Sequence, residues 1–164
     1  MAQIAQEAQM NYQPQVSEGD NPMAQIAREA QGTIEANPEL PDNITEARQH
    51  LGSTDFNGLC ERFVEKTTLG KSGVYPSAKD AWENYYAEGK GTTDLEKARP
   101  GDIIFFQPDV SNDGYGHTGV LSGNGSFLSA TDDGVQEMSL TDWQNMTKQQ
   151  IQGIVPLSAI RGSN

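Results

Sequence analysis

Apolar positions along the chain follow two different periods, and each predicts a different kind of element. Residues 1–50 contain few bulky apolar side chains. After residue 50, helical spacing of apolar residues comes first, and short apolar runs bounded by glycine and proline follow. Helices followed by antiparallel strands predict an α+β domain over residues 51–164, with its helices packed on a small sheet. Residues 1–50 are predicted to form an extended N-terminal arm.

The arm carries an internal repeat. Residues 1–9 return as residues 23–31, with eight of nine positions identical. In each copy one methionine, one isoleucine and two alanines lie at i, i+3, i+4 and i+7, which makes a narrow apolar stripe on a helix. Helices this short are marginal alone in water, so a disordered tail with a chance duplication is one interpretation. We favour a pair of docking peptides, because a second copy raises the effective concentration of the second contact.

Local signals predict the remaining elements. One helix is predicted to run through Leu51, with Asp42 or Asn43 as its cap, and another covers residues 77–87. A later helix begins at Thr141. The predicted strands form a meander and cover residues 103–107, 117–122, 127–130, 135–138 and 151–157.

Composition excludes several classes of function. The net charge is −12, and an acidic surface repels phosphate backbones and anionic lipid heads, so we expect neither nucleic acid nor a membrane surface as a partner. The first residues lack the charged-then-apolar pattern of a secretory signal, so we expect a chain made as a soluble protein. One cysteine excludes an internal disulfide and, with two histidines, does not suit a zinc cluster. Since no phosphate-binding glycine motif is present either, we expect no cofactor and no metal.

Cys60 and His117 can act together as a nucleophile and its base. Apolar residues of Leu59–Val64 share a helical face, and Asp55 or Asn57 can cap this helix, which places Cys60 near its first turn. There the unpaired N–H groups and the helix dipole lower a thiol pKa. His117 opens a strand directly after a glycine-rich loop, where its side chain can reach a helix end. Each residue also has a simpler interpretation, as a buried core cysteine and a turn histidine.

Four motifs follow one another around these two residues. A cysteine opens Cys60–Val64, a Pro-Gly-Asp turn leads into the apolar strand of Arg99–Phe106, a Gly-His pair opens Gly116–Leu121, and a Gly-x-Gly hairpin begins Gly123–Leu128. This ordered set resembles the NlpC-type and CHAP cell-wall hydrolases, which are relatives of papain. The segment Tyr75–Trp82 resembles the phage-borne members.

The resemblance covers about residues 54–157 and implies a papain-like fold with peptidase or amidase activity on peptidoglycan. It implies that Cys60 attacks an amide carbonyl, that His117 protonates the leaving amine, and that water then releases the acyl-enzyme. It also implies that backbone N–H groups at the start of the Cys60 helix form the oxyanion hole.

Two departures from the family pattern concern the site. Many NlpC-type enzymes have Asp before and Ser-Gly after the cysteine, where this chain has Leu59 and then Glu61 and Arg62. The third catalytic group orients the imidazole from the strand after the hairpin, and the matching position here is Ser129. Phage members often carry a Ser-Thr-Asp run there, so Asp132 is the favoured candidate, because a carboxylate holds an imidazole better than a hydroxyl does. Asp132 can otherwise be a plain turn residue.

The resemblance and the repeats together predict a peptidoglycan hydrolase that belongs to a phage virion. Residues 1–31 are expected to attach it to virion proteins, in the tail, for local wall degradation, and before release it is expected in the host cytoplasm. A free endolysin and an amidase effector injected by a secretion machine are variants of the same activity. An alternative of another class is a papain-like domain that has lost its activity and serves as a structural plug in the virion.

Overall fold

The computed structural model describes residues 40–162. The two repeats, with their predicted docking to virion proteins, lie outside the described residues. None of the helices in the described part is long and apolar enough to cross a membrane. The α+β class predicted from the sequence is confirmed. In chain order the elements are α1 (Asp42–Arg48), α2 (Cys60–Leu69), α3 (Ala78–Ala87), β1 (Ile103–Phe106), β2 (His117–Gly123), β3 (Ser126–Thr131), β4 (Gly134–Ser139), α4 (Leu140–Thr147), β5 (Ile151–Val155) and α5 (Leu157–Arg161).

The strands form one antiparallel sheet in the order β4–β3–β2–β1–β5. The first four strands pair with their neighbours in the chain, and β5 returns to the free side of β1. The register pairs Phe106 of β1 with His117 of β2, so these two side chains lie on the same face of the sheet. The meander predicted from the apolar runs is therefore confirmed.

Side chains alternate between the two faces of the sheet, and each face has its own apolar core. Helices α1, α2 and α3 cover the first face, which we call the helix face, and strand residues such as Phe105 pack against them. The second face carries Phe106 and Phe127, with Trp143 of α4 packed on them, and we call it the aromatic face. His117 lies on the aromatic face, because its ring contacts all three of these aromatic side chains.

The start of α2 differs from the prediction. Neither Asp55 nor Asn57 caps this helix: Leu59 occupies the N-cap position, and no side chain in the described part of the chain caps the first turn. The chain before α2 forms turns, and the Asn57 side chain donates to the backbone oxygen of Asp132 at 2.9 Å. Cys60 is therefore the first residue of the helix.

Helix α1 also differs from the prediction. Pro41 takes its N-cap position in place of Asp42 or Asn43, and the buried Asn43 side chain donates to the backbone oxygen of Gly101 at 2.8 Å. The helix ends at Arg48, after about two turns, and does not run through Leu51. Its apolar side packs in the same core as α2, so α1 is part of the described domain. The division of the chain at residue 51 stays a prediction.

Hydrogen bonds from backbone N–H groups to two side chains explain where the later elements begin. Ser77 accepts a hydrogen bond from Asp80 N–H at 3.2 Å, which starts α3 where the sequence predicts it. Asp102 of the Pro-Gly-Asp turn accepts from the N–H groups of Arg99 and Leu157, both at 2.9 Å. This carboxylate ties the start of β1 to the start of α5, a helix that the sequence-based prediction lacks.

Candidate functional site

A cleft of about 480 Å³ opens where β2 begins beside the start of α2. Cys60 and His117 both line this cleft, although one comes from the helix face of the sheet and the other from the aromatic face. Three further segments form its walls, namely residues 75–78, 111–116 and 130–132. The two residues that the sequence predicts as nucleophile and base therefore share one cleft.

Cys60 is half-buried at the first position of α2. The carbonyl of Leu59 accepts the first helical hydrogen bond, from Phe63 N–H at 3.0 Å. The earlier N–H groups of α2 have no intrahelical acceptor. Together with the positive end of the helix dipole, they can stabilise negative charge that develops on a substrate carbonyl next to the thiol.

The thiol of Cys60 is protonated in the resting site. Burial raises the pKa of Cys60 to about 12, and the neighbouring Glu61 adds to this rise. Backbone hydrogen bonds from Thr118, Glu61 and Cys60 itself lower the pKa in part. The contact with Thr118 places the sulfur beside the residue that follows His117. At neutral pH the thiol therefore needs a base when it attacks, and His117 is the neighbouring candidate.

The loop before β2 fixes the position of His117. Gly116 has a φ of 75°, and a Cβ there would lie 3.1 Å from a backbone oxygen of β1, so the position favours glycine. Asn112 accepts a hydrogen bond from Gly116 N–H at 3.0 Å. The carbonyl of Tyr115 accepts one from the N–H of Lys79 at 2.8 Å, which ties the loop to the start of α3.

The imidazole of His117 is nearly buried, with 7% of the residue exposed. Its Nε2 lies 2.6 Å from Ser129 Oγ, and the Ser129 hydroxyl donates to the backbone oxygen of Thr118 at 2.8 Å. Because that hydroxyl has only one proton, Ser129 accepts from Nε2–H, which leaves Nδ1 without a proton. Burial lowers the pKa of His117 to about 3, so the ring is neutral at rest and its acceptor nitrogen is Nδ1.

Space for Ser129 beside the imidazole comes from Gly119. This glycine lies two residues after His117, on the same face of β2. A Cβ at Gly119 would lie 3.1 Å from the Cβ of Ser129 and 2.6 Å from the ring of Phe127. The missing side chain therefore lets β3 bring Ser129 up to the histidine.

The geometry favours Ser129 over Asp132 as the residue that orients the imidazole. Asp132 is exposed at the rim of the cleft, and within the described part of the chain no hydrogen bond joins it to His117. It follows the last residue of β3, where the chain turns toward β4, whereas Ser129 lies inside the strand. The preference for Asp132 in the sequence-based hypothesis finds no support in this geometry. The catalytic roles of Cys60, His117, Ser129 and Asp132 stay predictions.

Sequence reasoning missed a buried carboxyl pair beside the nucleophile. Glu61 and Glu65 lie one turn apart on α2, and both are buried. Glu65 accepts hydrogen bonds from the N–H groups of Gly73, Val74 and Tyr75 at 2.7, 2.9 and 2.8 Å. Burial raises the pKa of Glu61 well above its ordinary value, and the hydrogen bond and the charge of Glu65 raise it further. Two carboxyls at i and i+4 on the inner side of a helix are the signal that points to this pair.

Sequence reasoning also missed Trp143 and Gln149. The Trp143 indole stacks on the His117 ring, with 4.5 Å between the ring centroids and 20° between the planes. Gln149 Oε1 accepts a hydrogen bond from Trp143 Nε1 at 2.9 Å. Both residues are distant from His117 in the chain, and no local pattern marks the contact.

The arrangement can perform nucleophilic acyl transfer. A protonated thiol, a neutral imidazole with an unprotonated nitrogen, and the first N–H groups of α2 border one open cleft. Among residues 40–162 no three His, Cys, Asp or Glu side chains are grouped so as to hold a metal ion.

Comparison with known sequences identifies relatives of this domain. Residues 47–154 match the model of the NlpC/P60 family. The probable endopeptidase p60 of Listeria innocua serovar 6a is 35% identical over 101 residues, which cover 57% of this chain and 20% of the relative. The chain thus spans about a fifth of the length of that curated relative.

Solved structures share the fold. NlpC1 from Trichomonas vaginalis aligns with a TM-score of 0.52 and 20% identity over 70% of this chain and 42% of its own. An NlpC/P60 family protein from Bacillus cereus aligns with a TM-score of 0.55 and 19% identity over 73% of this chain and 40% of its own. NlpC2 from Trichomonas vaginalis aligns with a TM-score of 0.52 and 20% identity over 75% of this chain and 50% of its own. At these identities the likeness shows the fold.

Proposed function

The chain belongs to the NlpC/P60 family, and from this premise we propose that its domain is a cysteine peptidase or amidase that hydrolyses peptidoglycan. One observation carries the proposal. Cys60, at the start of α2, and His117, whose tautomer is set by Ser129, line the same cleft. The family is one of cell-wall peptidases, which supports peptidoglycan as the substrate.

The geometry supports a stepwise acyl transfer. Cys60 Sγ attacks the carbonyl carbon of a stem-peptide amide while His117 Nδ1 takes the thiol proton. The N–H groups at the start of α2 stabilise the oxyanion. The tetrahedral intermediate then breaks its C–N bond, and His117 gives its proton to the leaving amine. Water attacks the thioester in the second half-reaction, and the thiol recovers its proton.

Purified peptidoglycan tests this proposal. Under reducing conditions the wild-type chain is expected to clear a peptidoglycan suspension and to release fragments with new amino and carboxyl ends, which mass spectrometry assigns to one bond. Cys60→Ala is expected to leave the suspension turbid, and Ser53→Ala, outside the cleft, serves as the control. If wild type and Cys60→Ala both leave the wall intact, the proposed activity is refuted.

A structural role is the second candidate, and the resting site gives one observation in its favour. The thiol of Cys60 has a pKa of about 12, and its base is held by the neutral Ser129 hydroxyl in place of a carboxylate. A papain-like domain that serves as a plug in a virion needs no reactive thiol. The clearing assay decides between the two candidates, because only the enzyme depends on Cys60.

We further propose that the domain works on a phage virion, attached to tail proteins through residues 1–31. The repeats at 1–9 and 23–31 and the phage-like segment Tyr75–Trp82 support this. A free endolysin and an injected effector need no such attachment. Deletion of residues 1–31 is expected to remove the chain from purified particles while clearing of isolated wall persists. Unchanged incorporation of the truncated chain, measured by mass spectrometry of the particles, would refute the attachment.

A further inference from the structure

Trp143 stacks on one side of the His117 ring, and the reaction steps proposed above give it no role. It belongs to α4 on the aromatic face, and 6% of it is exposed. The two rings are stacked at 4.5 Å and 20°, whereas Phe106 and Phe127 meet the imidazole at larger angles and longer distances. The indole is therefore the group that sets the plane of the imidazole.

Gln149 holds this indole in one orientation. The side chain is buried, with 3% of the residue exposed, and both ends of its amide are used. Oε1 accepts from Trp143 Nε1 at 2.9 Å, and Nε2 donates to Ser111 Oγ at 2.8 Å. Thr147 closes the turn after α4, since its hydroxyl donates to the Trp143 carbonyl at 2.7 Å and accepts from Gln149 N–H at 3.1 Å. Because both ends of this buried amide are hydrogen-bonded, its side chain is held in one orientation, and the indole is held with it.

Ser129 alone does not hold the imidazole. A single hydrogen bond at Nε2 does not by itself fix the plane of the ring. A hydroxyl also carries no charge, so it gives an imidazolium less stabilisation than a carboxylate would. The indole face lies within the distance at which a cation is attracted to an aromatic ring, about 6 Å. The stacking thus fixes the plane of the imidazole and stabilises the charge of the imidazolium, and Ser129 does neither by itself.

We infer that Trp143, held by Gln149, is a positioning residue for His117: it fixes the plane of the imidazole and stabilises the imidazolium while His117 holds the proton of Cys60. The inference rests on the proposed function, because it assigns these two residues to the proton transfer of that reaction. It does not depend on the identity of the substrate.

The single cysteine allows a test without any substrate. Iodoacetamide forms a bond to Cys60 Sγ with loss of iodide and of the thiol proton, so its rate reports how readily the thiol gives up that proton. The rate is measured from pH 5 to pH 10 for wild type, Trp143→Leu, Trp143→Phe, Gln149→Met and the double variant Trp143→Phe/Gln149→Met. His117→Ala gives the rate without the base. Gln152→Met, on β5, is the matched control for the glutamine substitution.

At neutral pH we expect alkylation to slow about tenfold in Trp143→Leu and about threefold in Gln149→Met. The rates should approach that of wild type toward the alkaline end, because unaided ionisation of the thiol contributes more as the pH rises. Trp143→Phe restores an aromatic face and should recover most of the neutral rate, and Gln149→Met should add little to it, because a phenyl ring has no N–H to hold. The Gln152→Met control should match wild type at every pH.

Three results would overturn the inference: an unchanged neutral rate in Trp143→Leu, a Trp143→Phe variant as slow as Trp143→Leu, or fully additive effects in the double variant. A wild-type rate equal to that of His117→Ala would overturn it too, since no proton transfer would remain to position. Thermal unfolding of each variant checks that the alkylation rates are measured on folded protein. If the wild type leaves peptidoglycan intact while the expected alkylation pattern appears, the proposed function fails and the positioning role stands.

Discussion

The two faces of the sheet hold their halves of the site in different ways. On the helix face, Cys60 is followed by Glu61, and Glu65 one turn later holds the N–H groups of residues 73–75. On the aromatic face, His117 lies among aromatic rings and makes one side-chain hydrogen bond, to Ser129. Polar contacts support the nucleophile, and packing supports the base.

The difference follows from the charges that the reaction creates. Proton transfer from thiol to imidazole makes an anion on the helix side and a cation on the aromatic side. Backbone N–H groups and a helix dipole stabilise the anion. The face of an aromatic ring stabilises the cation. Both groups are neutral at rest, because burial raises the pKa of Cys60 and lowers that of His117. The stabilisation that the two faces provide is therefore greatest while the proton is on the histidine, since only then are both groups charged.

Of the substitutions that test the two faces of the sheet, removal of the base on the aromatic face should have the largest effect. His117→Ala is expected to lower the rate of peptidoglycan hydrolysis by about 10²- to 10⁴-fold, because the substitution removes the proposed general base. The measurement is the initial rate of fragment release. His50 packs against Phe56 and Phe63 and does not line the cleft, so His50→Ala is the control and should keep its turnover. Equal losses in both variants would contradict a special role of His117.

The carboxylate of Glu65, which accepts hydrogen bonds from the N–H groups of residues 73–75, allows a test of how the helix face is stabilised. Glu65→Gln removes one acceptor oxygen and leaves at least one N–H group of residues 73–75 unpaired. We expect the free energy of unfolding to fall by about 1–3 kcal/mol, measured by urea denaturation. Glu83→Gln is the matched control, since Glu83 is exposed and forms only a surface ion pair with Lys79, and it should change stability little. A similar loss of unfolding free energy in both variants would show that the hydrogen bonds of Glu65 do not stabilise the domain more than a surface ion pair does.

The two candidates for orienting the imidazole are separated by a smaller effect. Ser129→Ala removes the acceptor for His117 Nε2–H and should lower turnover about tenfold, which corresponds to roughly one hydrogen bond. Asp132→Asn, at the rim of the cleft, should leave turnover near that of wild type. Steady-state rates on the same peptidoglycan preparation compare the two. The reverse ranking would restore Asp132 as the orienting residue.

The smallest expected effect concerns the charge of Glu61. Because the pKa of Glu61 is raised, its carboxyl is neutral at low pH and becomes charged as the pH rises, and this charge holds the pKa of Cys60 up. Glu61→Gln should speed alkylation of Cys60 about threefold at alkaline pH and leave it unchanged at acidic pH. Slower alkylation at alkaline pH would contradict this sign.

The same substitution changes stability with pH. A group whose pKa is raised on folding favours the folded state at low pH, and this contribution is lost as the pH rises through the raised pKa. Glu61→Gln should therefore lose less stability than wild type between acidic and alkaline pH. Urea denaturation at both ends of the range measures the difference.

Much of the fold was predictable because its signals are local. The helix that starts at Ser77 is marked by its cap, and the strand meander is marked by short apolar runs between turn residues. The start of α2 was not predictable in this way. Asp55 and Asn57 have the residue types of caps, but the turns before Cys60 direct the Asn57 side chain to the backbone of Asp132, in the turn after β3. A cap depends on the path of the chain as well as on residue type.

The sequence by itself determined the α+β class and the pair of residues at the cleft, Cys60 and His117, because both depend on motifs a few residues long. Only the tertiary structure decided which group meets the imidazole. Ser129 and Asp132 are three residues apart, and strand pairing with the space at Gly119 brings the first to the ring while the turn after β3 leaves the second at the rim. The stacking of Trp143 depends likewise on α4 packing across the sheet. Contacts between distant segments are set by register and packing, and no local pattern encodes them.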